Sequence, residues 1–88
     1  MDEVLEIKEK VKGFILEQTF ADKSKVIDET LIFKEGYLDS MGFVILIAFL
    51  EEAFTIETTD RDLIEENFES INAIANFVLK KNPNALKN

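Results

Sequence analysis

From Asp2 to about Gln18, apolar Val4, Ile7, Val11, Phe14 and Ile15 recur at spacings of three and four. Glu6, Lys8, Glu9, Lys10 and Lys12 fall mostly between them. That period puts the apolar side chains on one stripe and predicts an amphipathic helix over about 2–18. Gly13 lies inside the stretch and weakens it by roughly 1 kcal/mol relative to Ala. Residues 20–38 keep no period, and a structureless run of that length is uncommon in a small domain. Val26-Ile27 and Leu31-Ile32-Phe33 are therefore expected to pin it to the core. A short helical turn would serve, or a short strand over Thr30 to Phe33, although no second strand is evident to pair with it. Gly36 marks a turn.

A second helix is predicted over about 40–54 and a short third one over 60–66, where Thr59 precedes Asp62 at capping-box spacing. A fourth, over 71–81, carries Ile71, Ile74, Phe77 and Val78 on one face. It stops near Asn82 because the residue before Pro83 is pushed out of the helical region. The expected tail, 83–88, is flexible. The fold class is then all-α: a single domain, 1–88, built as a small four-helix bundle of three longer helices and one short one. A long loop joins the first two helices.

The stretch from Ser40 to Leu50 contains no charged residue. Advancing about 100° per residue from Ser40 groups Gly42, Phe43, Leu46, Leu50, Ala53 and Phe54 into a core stripe. The opposite arc carries Ser40, Met41, Val44, Ile45, Ala48, Glu51 and Glu52, with Ile47 and Phe49 at the margins. Unpaired carboxylates are almost never fully buried, so Glu51 and Glu52 identify this arc as the wet side. Met41, Val44 and Ile45 then form an exposed apolar patch next to Ser40, of the kind that marks a partner surface. The plain alternative is that the 20–38 connection covers the patch. Ser40 also has an ordinary reading, as an N-cap in an Asp39-Ser40 pair. A phosphodiester on its hydroxyl would nevertheless be favoured by the free N–H groups and dipole of a helix N-terminus.

Composition narrows the chemistry. Ten basic and 18 acidic residues give a net charge of −8, unsuited to nucleic acid or an anionic membrane. Without Cys or His there is no thiolate zinc site, cysteine nucleophile or Ser-His machinery, so no catalytic or metal-binding residue is expected. No apolar run is long enough to span a membrane. Met1-Asp2-Glu3 has no basic-then-apolar signal, which predicts a cytoplasmic location. The acid-rich stretch Glu57 to Glu69 lacks the Gly and the alternating Asp spacing of an EF-hand, and reads as a solvated surface.

Gly36-Tyr37-Leu38-Asp39-Ser40-Met41, opening a helix that closes Leu50-Glu51-Glu52-Ala53-Phe54, resembles the acyl carrier and peptidyl carrier protein family. The order of elements resembles that family along the whole chain. The resemblance implies a 4′-phosphopantetheine arm on Ser40, attached from coenzyme A by a phosphopantetheinyl transferase with magnesium, with Asp39 part of the attachment motif. Acyl or aminoacyl groups would ride on the arm as thioesters in fatty-acid or specialised acyl or peptide biosynthesis. The protein would be no enzyme but a carrier. It would be monomeric and served by a loading ligase and by downstream synthases or transferases. Met41, Val44, Ile45, Ala48, Glu51 and Glu52 would form its docking face.

Two departures bear on the pathway. Tyr37 and Leu38 both stand between Gly36 and Asp39, and Gly42 and Ile45 replace acids found on this helix in fatty-acid carriers. Leu-Asp-Ser-Met-Gly is more similar to stand-alone D-alanyl and peptidyl carriers. The competing class is an unmodified acidic helical module that docks a partner through the same patch. Eight Phe residues are further expected to leave little room inside for an acyl chain.

Overall fold

The computed structural model of the chain describes residues 3–84, and among these every regular element is helical and no strand is present. The expected all-α bundle is the fold. α1 (Glu3–Thr19) buries Ile7, Val11 and Ile15, one apolar residue per turn on one face. It ends where the Thr19 hydroxyl donates to the Ile15 carbonyl (2.7 Å) and Phe20 turns left-handed at φ 56°. The Phe20 N–H then closes on the Leu16 carbonyl (2.9 Å), satisfying a helix-end acceptor in the manner usually left to glycine.

α2 (Ser40–Phe54) buries Leu46, Leu50 and Phe54, again one face at spacings of four, with Gly42, Phe43 and Ala53 half-buried beside them. Its end repeats the device of α1. Thr55 is left-handed at φ 54°, and its N–H bonds to the Glu51 carbonyl.

The expected third helix over 60–66 is not one helix. A 3₁₀ turn, Asp60–Asp62, is followed by the extended pair Leu63-Ile64 and then by a single turn, α3 (Glu65–Phe68). Asp62 explains the break. Its carboxylate accepts the Thr59 N–H at 2.9 Å and the Lys81 ammonium at 2.7 Å. Its carbonyl accepts from the Ile64 N–H (2.9 Å) and the Asn67 amide (2.8 Å), bonds that replace an onward helical ladder.

α4 (Ile71–Lys81) starts at Ser70, whose hydroxyl accepts the Ala73 N–H at 3.1 Å. It buries Ile71, Ile74, Ala75, Phe77 and Val78. Asn82, just past its end, donates its side-chain amide to the Phe54 carbonyl (2.9 Å), tying the C-termini of α2 and α4 together. Of the tail expected to be flexible, residues 85–88 lie outside the described residues.

The backbone of α4 comes close to those of α1 and α3. α2 joins the same core through Leu46, Leu50 and Phe54 and through pairs of rings. Phe14 of α1 stacks on Phe49 at 4.4 Å, and Phe43 meets Phe68 of α3 edge to face at 5.4 Å. Aromatic pairs favour these offset and edge-on arrangements.

The 20–38 connection is anchored as the sequence suggests, but by fewer residues. Val26 and Ile32 are fully buried, Leu31 and Phe33 only partly. Ile27 is exposed, because its N–H is held by the Thr30 hydroxyl (2.9 Å) in a turn that points it outward. Thr30 to Phe33 is no strand. The Ile32 N–H bonds to the Glu69 carbonyl (2.9 Å), and the chain turns at once, Glu35 N–H onto Leu31 O (2.8 Å). The Asn72 N–H bonds to the Asp28 carbonyl (3.1 Å), and the Asp28 carboxylate stands 3.6 Å from Lys8. The connection thus runs to α4 and α1 and meets α2 only on its inner side, Phe33 against Phe43 and Leu38 against Gly42, while Met41 and Val44 stay largely exposed. It leaves the outer face of α2 uncovered, which disposes of the plain alternative for that patch.

Candidate functional site

The turn that delivers Ser40 begins at Gly36, which takes φ 84°, a value that side chains with a Cβ rarely adopt. Both the Tyr37 N–H (2.8 Å) and the Leu38 N–H (3.2 Å) then reach the Ile32 carbonyl. This anchors Leu38 in the core. Leu38 in turn requires a glycine across from it: a Cβ on Gly42 would stand 3.0 Å from Leu38 Cδ2 and 3.2 Å from Leu38 Cβ. The two glycines thus serve one purpose, seating the segment before α2 tightly against the first turn of that helix.

With that seating, Asp39 and not Ser40 becomes the N-cap. Asp39 is extended (φ −111°), its Oδ1 accepts the Gly42 N–H at 2.9 Å, and its carbonyl accepts the Phe43 N–H at 2.9 Å. The carboxylate is well placed at the positive end of the helix dipole. Ser40 is the first helical residue. It is exposed, and its hydroxyl makes no hydrogen bond among the described residues. No His or Cys exists to deprotonate it, and the neighbouring carboxylate is committed to the cap.

Around this hydroxyl the surface is apolar on both sides. Met41 is 67% exposed, Val44 62% and Ile45 38%, while Ala48 and Glu52 are exposed further along the same face. Glu51 behaves differently. It is half-buried, and its Oε2 accepts both the N–H and the hydroxyl of Thr58 at 2.9 Å. Those bonds, the backbone one foremost, hold its carboxyl below the usual range and tether the segment after α2.

On the other side of Ser40 lies an open groove of about 840 Å³ that sequence reasoning did not find. It is lined by Ser40, Phe43 and Val44 of α2, by Leu63, Ile64 and Phe68 from the segment after it, and by Phe33 and Lys34 of the connection. Its residues come from three stretches of chain without a common period. The one signal in the sequence is the apolar pair Leu63-Ile64 inside an acid-rich run, and both side chains are indeed exposed. A smaller groove of about 310 Å³, bordered by Gln18, Tyr37, Met41 and Ile45, flanks the opposite side.

An exposed serine thus heads a helix whose first eleven residues carry no charge, between two grooves. No family model matches the chain. It is 34% identical over 74 residues to the acyl carrier protein of Buchnera aphidicola, covering 84% of this chain and 92% of that protein. It is 33% identical over 76 residues to the acyl carrier protein of Thermosynechococcus vestitus, covering 86% and 91%. With the D-alanyl carrier protein of Streptococcus suis the identity is 36% over 76 residues, covering 86% and 95%. The chain belongs to the acyl carrier protein family and is a carrier protein.

Proposed function

We propose that this carrier holds acyl or aminoacyl groups at Ser40, on a 4′-phosphopantetheine arm transferred from coenzyme A. When bound, the arm supplies the thiol that the chain lacks and on which such groups are held as thioesters. The observation that carries the reading is the unengaged Ser40 hydroxyl, freed because Asp39 caps α2 in its place. The residues present fit the group. The hydroxyl is accessible, and the surface beside it is an open groove rather than packed side chain. Attachment would exchange the hydroxyl proton for a bond to phosphorus, with the nucleotide half of coenzyme A leaving. The base and the magnesium for that exchange belong to the transferase.

The chain's own contribution is position. Asp39 and Gly42 hold the first turn of α2 rigid, so Ser40 stands at a fixed place on the surface. Met41, Val44, Ile45 and Ala48 offer the apolar docking contact, with Glu52 and the edge of Glu51 beyond them as the charged limit of the face. Tethering raises the effective concentration of the carried group for each partner, and no acid–base group is needed for that. The partners in this reading are a phosphopantetheinyl transferase, an acyl- or aminoacyl-loading ligase and downstream synthases or transferases. The protein acts as a monomer in the cytoplasm and not as an enzyme. Among the described residues no helix is long and apolar enough to cross a membrane.

Incubating the apo-protein with coenzyme A, magnesium and a transferase should add one phosphopantetheine mass, and Ser40→Ala should add none. Failure of the wild type to gain that mass, or a gain that persists in Ser40→Ala, overturns the reading. Full function of a Ser40→Ala protein would instead favour an unmodified interaction module.

A further inference from the structure

The floor of the groove beside Ser40 is made of rings. Phe33 and Phe43 meet edge to face at 5.6 Å, Phe43 and Phe68 at 5.4 Å, and Phe68 and Phe77 at 4.8 Å. The four form one unbroken column from the rim to α4. Phe33 and Phe43 are half-buried, whereas Phe68 and Phe77 are buried. Leu46, Ile74 and Val78, in the same core as Phe68 and Phe77, have no exposed surface. Interiors packed in this way hold few voids larger than a water molecule. A group entering the groove from Ser40 therefore meets ring edges, and going deeper means breaking the contacts of Phe43 and Phe68 with their neighbours.

From this column we infer that Phe43 and Phe68 select the class of group carried: short acyl or aminoacyl groups that lie in the groove, with long alkyl chains kept out of the core. The inference rests on the reading of Ser40 as the attachment point and adds to it the cargo and the residues that choose it. A short group finds apolar cover from Leu63, Ile64 and Val44 at the surface. A long chain would have to part the Phe33–Phe43–Phe68 contacts to gain burial beyond the groove, which is itself open to solvent.

The test loads the full chain with butyryl- and dodecanoyl-phosphopantetheine from the corresponding coenzyme A thioesters, checked by intact mass. If neither adds, the attachment reading has failed; once both are attached, every later readout concerns the rings alone. Methyl resonances of Leu63 and Ile64 should move with either group, while those of Leu46, Ile74 and Val78 stay in place. Neutral hydroxylamine should release both groups at similar rates. Movement of the core methyls, with dodecanoyl released about tenfold more slowly or worse, overturns the inference, because burial of even two methylenes carries that factor. Phe43→Leu shortens the column at its half-buried member. It should let the dodecanoyl chain in, moving Ile74 and slowing release. A folded Phe43→Leu protein that behaves like the wild type also overturns the assignment. If that variant does not fold, the wild-type readouts decide alone.

Discussion

Asp39 Oδ1 accepts the Gly42 N–H at 2.9 Å, and this one bond determines which of two adjacent good capping residues holds α2 and which is left free. Both Asp and Ser are strong N-caps, so their neighbours had to choose between them. The choice falls on Asp39 because Tyr37 and Leu38 both hang from the Ile32 carbonyl, which places the residue after Leu38 at the boundary of the helix.

Removing the cap should therefore cost stability at Asp39 and not at Ser40. Asp39→Ala is expected to lose about 1 kcal/mol, or roughly 4–8 °C in melting temperature for a chain of this size. Asp39→Asn should keep most of that, and Ser40→Ala should melt within about 0.5 kcal/mol of the wild type. Thermal melts of the three proteins check it, and a Ser40→Ala loss as large as that of Asp39→Ala would contradict the assignment.

The glycines on the two helices should respond in opposite ways to the same substitution. At Gly13 a Cβ meets nothing within 4 Å, so Gly13→Ala should gain about 0.4–1 kcal/mol from helix propensity and a stiffer unfolded chain. At Gly42 the new Cβ would press on Leu38 at 3.0 and 3.2 Å. Leu38 Cβ cannot swing away as a side-chain tip can, so Gly42→Ala should forfeit that gain and fall below the wild type. Urea unfolding of both variants gives the comparison directly.

Partner recognition in the proposed reading leans on apolar contact. Ile45→Glu alters a surface residue with 38% exposure and should change stability little, since surface substitutions usually stay within about 0.5 kcal/mol. It should lower kcat/KM for transfer of the arm or its cargo by a cognate enzyme, with Val44→Glu acting likewise. Unchanged transfer kinetics in both variants would remove the docking face from α2.

Acid should loosen the segment between α2 and α3 first. The Lys81 ammonium, followed by the Thr59 N–H, holds the Asp62 carboxyl below its ordinary range, and Thr58 does the same for Glu51. A carboxyl depressed in the folded state contributes stability that is complete above its unfolded value, about 3.9 for Asp and 4.3 for Glu. That contribution is lost as the pH falls through the lower folded-state value. Melting temperature should accordingly hold steady from pH 6 to about pH 5 and fall from about the unfolded-state values downward. The fall should be shallower in Asp62→Asn, which lacks the ion pair at every pH. Parallel pH profiles for the two proteins would show that Asp62 contributes nothing to the acid response.

Legibility followed the range of the forces involved. α1, α2 and α4 each carry their own apolar period, and helix formation within 20 residues is a local affair, so these were readable. The third helix was not. Thr59 and Asp62 do head a helical turn, Asp60–Asp62, but its extent is not local: the Asp62 carboxylate is also bound by Lys81, 19 residues away, and its carbonyl by Asn67. Ile27 and Ile32 are equally apolar on paper. Only the hydrogen bonds of Thr30 and Glu69 decide that Ile27 faces water and Ile32 the core.

The same division runs through the site. The sequence by itself determined that a serine heads a helix uncharged as far as Leu50, in a chain without Cys or His, and that its family is that of carriers. Those are statements about composition and about one short run of neighbours. Tertiary structure alone decided that the serine is free and its neighbour the cap, that the outer face of α2 is uncovered, and that the groove beside Ser40 ends on Phe43 and Phe68. The physical reason is that burial and hydrogen-bond partnership belong to pairs of residues. Phe43 and Phe68 become neighbours only when separate segments are packed on one core.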